Sequence, residues 1–125
     1  MNTGKKKILV IDDSNTNVVL LEAILKNHGY MILTAMSVRE AYEILDNEHP
    51  VLILLDLLMP NISGYQFLQE IKKHDATREI PVIVVSAITD KLYRKKIEEL
   101  GAAGFIEKPI DIHELVEKVE ISLSN

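Results

Sequence analysis

The sequence contains no cysteine. That absence removes disulfide scaffolds, thiolate metal sites and thiol nucleophiles together, and it suits a reducing compartment. Long hydrophobic runs are missing as well: every apolar stretch falls far short of the roughly 20 residues that span a bilayer. The N-terminal MNTGKKK leads into the apolar residues 8–11 and then into two aspartates, not into a signal-peptide cleavage site. An excess of positive charge is also lacking. With 14 Lys and Arg against 19 Asp and Glu the net charge is -5, which disfavours nonspecific nucleic-acid binding, since that depends on neutralising phosphates. The locally basic KLYRKK, residues 91–96, reads as a solvated helix face. There is no linker, internal repeat or low-complexity tract. A soluble cytoplasmic protein with no membrane or direct nucleic-acid partner is the expectation.

What is present suffices for one compact domain, residues 1–125: 47% of the chain is hydrophobic, enough for a proper core. Short β-rich runs recur as KILVI (7–11), MILTA (31–35), VLILLD (51–56), PVIVVSA (81–87) and GFIEK (104–108), each followed by a longer helical pattern. After the first run, Val18, Leu21, Glu22 and Leu25 fall at helical spacing, and His28-Gly29 closes the segment as a glycine cap would. Ser37-Val38-Arg39-Glu40 has capping-box spacing, and Asp111-Ile112-His113-Glu114 resembles it with Asp as the cap. A third helix starts near Ser63-Gly64, turns Phe67, Leu68 and Ile71 inward, and ends before HDATREIP; a fourth covers about residues 90–100 until Gly101 stops it.

Strands alternating with helices of this length indicate βαβ units and a parallel sheet covered on both faces, an α/β doubly wound fold. Strands buried on both faces need no polar alternation, which accounts for VLILL and VIVV. In such sheets ligands bind at the carboxyl ends of the strands. Here those ends carry Asp12-Asp13, Asp56, Ser86 and Lys108-Pro109. Asp56 is the one carboxylate in the run VLILLDLLMP, and a strand end resolves why a charge stands there.

Three gathered aspartates repel one another unless protons or a cation neutralise them, and a hard, all-oxygen site favours Mg²⁺. Asp12, Asp13 and Asp56 would make that site, Ser86 could donate to an anionic oxygen, and Lys108 could supply a positive charge. Carboxylate nucleophile, metal, hydroxyl and lysine are the parts needed for phosphoryl transfer onto an aspartate. Blander readings exist for each: Asp12-Asp13-Ser14 as a helix cap, Asp56 as a turn cap before Pro60, Lys108 as a surface lysine. Their joint appearance at separate strand ends favours the site. His28, His49, His74 and His113 fall near helix or loop ends without metal-ligand spacing and read as structural or exposed. Gly64 and Gly101 read as backbone devices at turns.

VIDDS, LLDLLMPNISG with its glycine eight residues after Asp56, VVSA and GAAGFIEKP, in this order, resemble the receiver domain of two-component response regulators over essentially the whole chain. The resemblance implies a five-stranded flavodoxin-like (βα)5 sheet of order 2-1-3-4-5. It implies Asp56 as phosphoacceptor; Asp12, Asp13, Asp56 and the backbone carbonyl of Leu58 as ligands of Mg²⁺ (or Mn²⁺); Ser86 as switch hydroxyl; and Lys108 as phosphate-binding lysine with a cis bond to Pro109. Phe105 would be the aromatic that changes rotamer, although an aromatic on a strand is also ordinary core. The implied partner is a sensor histidine kinase or histidine phosphotransfer protein docking near the first helix, and outputs or a homodimer would use the fourth helix, fifth strand and fifth helix. Such a protein catalyses only its own phosphorylation and dephosphorylation and is no enzyme in the usual sense.

Leu58 and Ile88 occupy the positions that tune hydrolysis in that family. Neither side chain can orient a water, so a long-lived phosphoryl group is expected. Asn17, four residues after Asp13, makes DDSNTN similar to the opening frequent in hybrid-kinase and phosphorelay receivers. The chain would be a stand-alone receiver or a piece of a larger regulator or hybrid kinase. Rival readings are a binding-only pseudo-receiver, an aspartate-nucleophile phosphatase, for which the D-x-D motif is absent, and a flavin protein, whose phosphate the paired acids would repel.

Overall fold

The computed structural model describes residues 4–57, 64–87 and 90–124. Strands and helices alternate along the chain as β1 (Lys7–Ile11), α1 (Asn15–Lys26), β2 (Met31–Ala35), α2 (Val38–Asn47), β3 (Leu52–Asp56), α3 (Gly64–Ile71), β4 (Val82–Ser86), α4 (Lys91–Glu99), β5 (Gly104–Glu107) and α5 (Ile112–Leu123). All strand pairs are parallel and the sheet order is β2-β1-β3-β4-β5, the flavodoxin-like arrangement.

β3 and β4 are buried along their whole length, as their unbroken aliphatic sequences require. Their side chains alternate between two cores. Leu9, Ile11, Ile53, Leu55, Val82 and Val84 pack with Phe67, Leu68 and Ile71 of α3 and Ile97 of α4. Ile8, Val10, Leu52, Leu54, Ile83 and Val85 pack with Val18, Leu21 and Leu25 of α1 and Leu115 and Val119 of α5. Ile24 is buried too, while Glu22, grouped with the inward residues by spacing, is only half-buried. Tyr42 of α2 meets the ring of Phe67 edge-on at 5.1 Å and donates its hydroxyl to Glu70, tying α2 to α3.

The helix ends use the expected devices. Ser37 Oγ accepts the Glu40 amide at 3.1 Å, and Glu40 reaches back to the Met36 amide at 2.9 Å, one residue before the cap itself. Asp111 accepts the Glu114 amide at 2.9 Å. Gly29 and Gly101 take φ of 89° and 103°, and each closes its helix with paired bonds, Tyr30 N to Leu25 O with Gly29 N to Lys26 O, and Ala102 N to Ile97 O with Gly101 N to Glu98 O. Three strands come out shorter than their apolar runs: β3 begins at Leu52, β4 spans Val82–Ser86, and β5 stops at Glu107, before Lys108. No helix among the described residues is long and apolar enough to cross a membrane.

Candidate functional site

Strand register aligns the polar ends. Ile11 lies opposite Leu55, so Asp12 leaves β1 beside Asp56 at the end of β3. Asp56 pairs with Val85 and Ser86 with Glu107, which brings Ser86 and Lys108 to the same edge. The Lys108 amide donates to the Ser86 carbonyl at 2.9 Å, and the Lys108-Pro109 bond is cis. Asp12, Asp56 and Ser86 are buried, Asp13 is exposed, and Lys108 is half-buried.

Carboxylate oxygens of Asp12, Asp13 and Asp56 lie within 4.8 Å of one another, the one such acidic group among the described residues. Lys108 Nζ stands 3.5 Å from Asp56 Oδ2 and 3.8 Å from Asp12 Oδ2. Burial pushes the Asp12 carboxyl upward from its ordinary value; the Ser14 amide opposes this, the Asp56 charge adds to it, and Lys108 and Asn17 pull it down. Three close carboxylates around one lysine form a hard oxygen donor set that a divalent cation of the Mg²⁺ type fits.

Asp12 is held by the first turn of α1. Its Oδ1 accepts the Ser14 amide at 2.8 Å and its Oδ2 accepts Asn17 Nδ2 at 3.3 Å. Ser14 is at the same time the N-cap of α1, its hydroxyl accepting the Asn17 amide at 3.4 Å, so the cap stands directly beside the gathered carboxylates. Gly64 meets β3 more closely than a turn glycine would. A Cβ there would lie 2.8 Å from the Asp56 carbonyl oxygen and 2.8 Å from Leu57 Cα, so the start of α3 rests directly on the backbone that carries Asp56.

Phe105 points into the core, 4% exposed, and the Arg94 guanidinium lies 4.9 Å from its ring centroid. Arg94 also pairs with Glu107 at 3.4 Å, and Lys118 of α5 donates to the Phe105 carbonyl. Sequence reading placed Arg94 on a solvated face; Tyr93 and Arg94 are in fact half-buried, while Lys91, Lys95 and Lys96 are exposed as expected. Burial raises the Tyr93 phenol, with the Asp56 charge adding to it, so this part of α4 lies within electrostatic reach of Asp56. Nothing in KLYRKK marks Arg94, because its partners come from β5. Leu58 and Ile88 lie outside the described residues. All four histidines are exposed. A separate cleft of about 470 Å³ opens at the other end of the sheet between α2 and α3, lined by Tyr42, Leu45, His49 and His74 among others, and reaches none of the carboxylates.

A family model described as the response regulator receiver domain matches residues 8–120. The chain is 39% identical over 119 residues to a probable transcriptional regulator, ycf27, of Cyanophora paradoxa, covering 95% of this chain and 48% of that protein. It therefore spans about half the length of that relative. Against the protein PilH of Pseudomonas aeruginosa identity is 32% over 121 residues, covering 94% of this chain and 98% of PilH. Among solved structures, the signal receiver domain of a signal transduction histidine kinase from Syntrophus aciditrophicus superposes with a TM-score of 0.87 at 34% identity, covering 95% and 90% of the two chains.

Proposed function

The chain belongs to the response regulator receiver domain family, and from that premise we propose that residues 1–125 act as a single receiver whose Asp56 accepts a phosphoryl group. Family members are signalling phosphoacceptors, not classical enzymes. The donor is a phosphohistidine on a sensor histidine kinase or a histidine phosphotransfer protein. In the transfer, an Asp56 carboxylate oxygen forms the new bond to phosphorus as the bond from phosphorus to the imidazole nitrogen breaks, and the imidazole leaves. One observation carries the reading: three carboxylates converge within 4.8 Å at the strand ends with Lys108 3.5 Å from the central one.

Asp12, Asp13 and Asp56 would hold Mg²⁺ or Mn²⁺, with the Leu58 carbonyl as a further ligand, and the ion would draw phosphoryl oxygens and screen the meeting anions. Lys108 places its ammonium on the phosphoryl oxygens. Ser86, at the end of β4, donates its hydroxyl to the phosphoryl group, and Phe105 answers by changing rotamer. That motion must displace the Arg94 guanidinium from the ring, so it alters the surface made by α4, β5 and α5, where a downstream protein or a second copy binds. The kinase-side partner docks near α1, whose Val19 and Leu20 are exposed at 57% and 41%. Leu58 and Ile88, apolar at the positions that the family resemblance marks as tuning hydrolysis, slow it. An acidic, cysteine-free phosphoacceptor of this kind works in the cytoplasm without touching nucleic acid.

Acetyl phosphate with and without Mg²⁺, followed by intact mass, tests this. Wild type should gain one phosphoryl group only with the metal, and Asp56→Asn should gain none. A folded, metal-saturated wild type that gains nothing would establish the binding-only reading instead.

A further inference from the structure

DDSNTN contains one residue that the phosphoacceptor chemistry leaves without a role. Asn17 sits in the first turn of α1, five residues after Asp12, and its Nδ2 donates to Asp12 Oδ2 at 3.3 Å. The same oxygen faces Lys108 Nζ at 3.8 Å, an ion pair too long for a hydrogen bond. Oδ1 is taken by the Ser14 amide. Asp12 therefore has one oxygen fixed by backbone and one contested between a neutral amide and a cation.

We propose that Asn17 is a positioning residue for the metal: its side-chain amide holds the Asp12 carboxylate in the acidic cluster and keeps it from closing onto Lys108. This rests on the metal reading above. Asn17 suits the task because its backbone is itself fixed, its amide bound to Ser14 Oγ at 3.4 Å within the α1 cap. An amide donor orients without adding charge, so the cluster keeps its attraction for a cation. Without that donor, Lys108 is the side chain left facing Oδ2 among the described residues. The carboxylate then swings toward the ammonium, and an entering cation must break a closer contact than the 3.8 Å one of the wild type. Partners that orient metal ligands change metal affinity without touching the metal.

Mn²⁺ binding followed by electron paramagnetic resonance, on the 125-residue chain without any phosphodonor, tests the idea in wild type, Asn17→Ala, Lys108→Met and the double variant. Asn17→Ala should weaken Mn²⁺ binding by about tenfold, the lower end for a residue of this kind. In the Lys108→Met background the same change should cost less than about twofold, because the competing ammonium is gone. Equal affinity in wild type and Asn17→Ala overturns the proposal, and so does an equal loss in both backgrounds, which would mark a merely structural role. A wild type that binds no Mn²⁺ overturns the metal reading and this proposal together. The expected Mn²⁺ pattern across the four proteins, together with no labelling of wild-type Asp56 in the separate acetyl phosphate experiment, overturns the phosphoacceptor reading alone.

Discussion

Gly64 and Asp12 show how single residues bear on the site. At Gly64 an added methyl would meet backbone atoms of Asp56 and Leu57 at 2.8 Å, and backbone cannot swing aside as a side chain can. Gly64→Ala gains some helix propensity but overpacks this contact, so a net loss of about 1–3 kcal/mol is expected in urea unfolding. Labelling of Asp56 should slow as well, because the carbonyl that must yield belongs to Asp56. Asp12 makes a prediction about pH. Its folded-state carboxyl is raised, chiefly by burial, so the folded chain holds that proton more readily than the unfolded one. Stability of the metal-free protein therefore falls as pH rises from the ordinary carboxylate value through the raised one, and the penalty is complete above it. Asp12→Asn should shift the urea midpoint upward near neutrality in EDTA, and the gain should fade as the buffer is acidified below the ordinary value. The acids, the serine and the lysine were legible in the sequence because each interrupts an apolar run at its end. Gly64's contact and Asn17's bond to Asp12 were not, since neither spacing nor composition states which backbone a glycine will touch or where an amide points.

At the scale of elements, α4 is the helix most free to respond. It buries Ile97 alone, whereas α1 buries Val18, Leu21, Ile24 and Leu25. Its hold on β5 comes largely from Arg94, through the Phe105 ring and Glu107. A guanidinium over a ring at a partly exposed site contributes about 0.5–1 kcal/mol, and the ion pair with Glu107 is too open to water to add much. Under the proposed rotamer change of Phe105 that contact breaks, so Arg94→Ala should speed labelling by acetyl phosphate about two- to fivefold. Glu107→Gln, which leaves the ring contact in place, should change it less. The helices and strands themselves could be read from run length, caps and glycines. Strand ends came out a residue short at Val51, Pro81 and Ala87, although Val51 N still donates to Lys7 O and Pro81 O still accepts from Ile53 N across the strands. The Arg94 contact stayed hidden because it joins residues 11 positions apart on separate elements, and a basic stretch on a helix is ordinarily solvated.

Across the whole molecule, alternation of strands and helices sufficed to indicate a parallel sheet, but strand order came only with the family resemblance, because nothing in the rhythm states which strand lies between which. Order and register together make the site: β1, β3, β4 and β5 lie side by side, and a slip of one residue in any of them would carry its polar end about 3.3 Å out of line. The two phenylalanines differ in their partners. Phe67 packs in the core against Tyr42, and Phe105, opposite Val84 midway along β4, packs in the same core beneath Arg94. Fluorophenylalanine labelling would therefore yield a ¹⁹F spectrum of two resonances, one an internal reference and the other a test of the proposed Phe105 response to phosphorylation. On addition of Mg²⁺ and acetyl phosphate the Phe105 line should move while the Phe67 line stays, and Asp56→Asn should hold both in place.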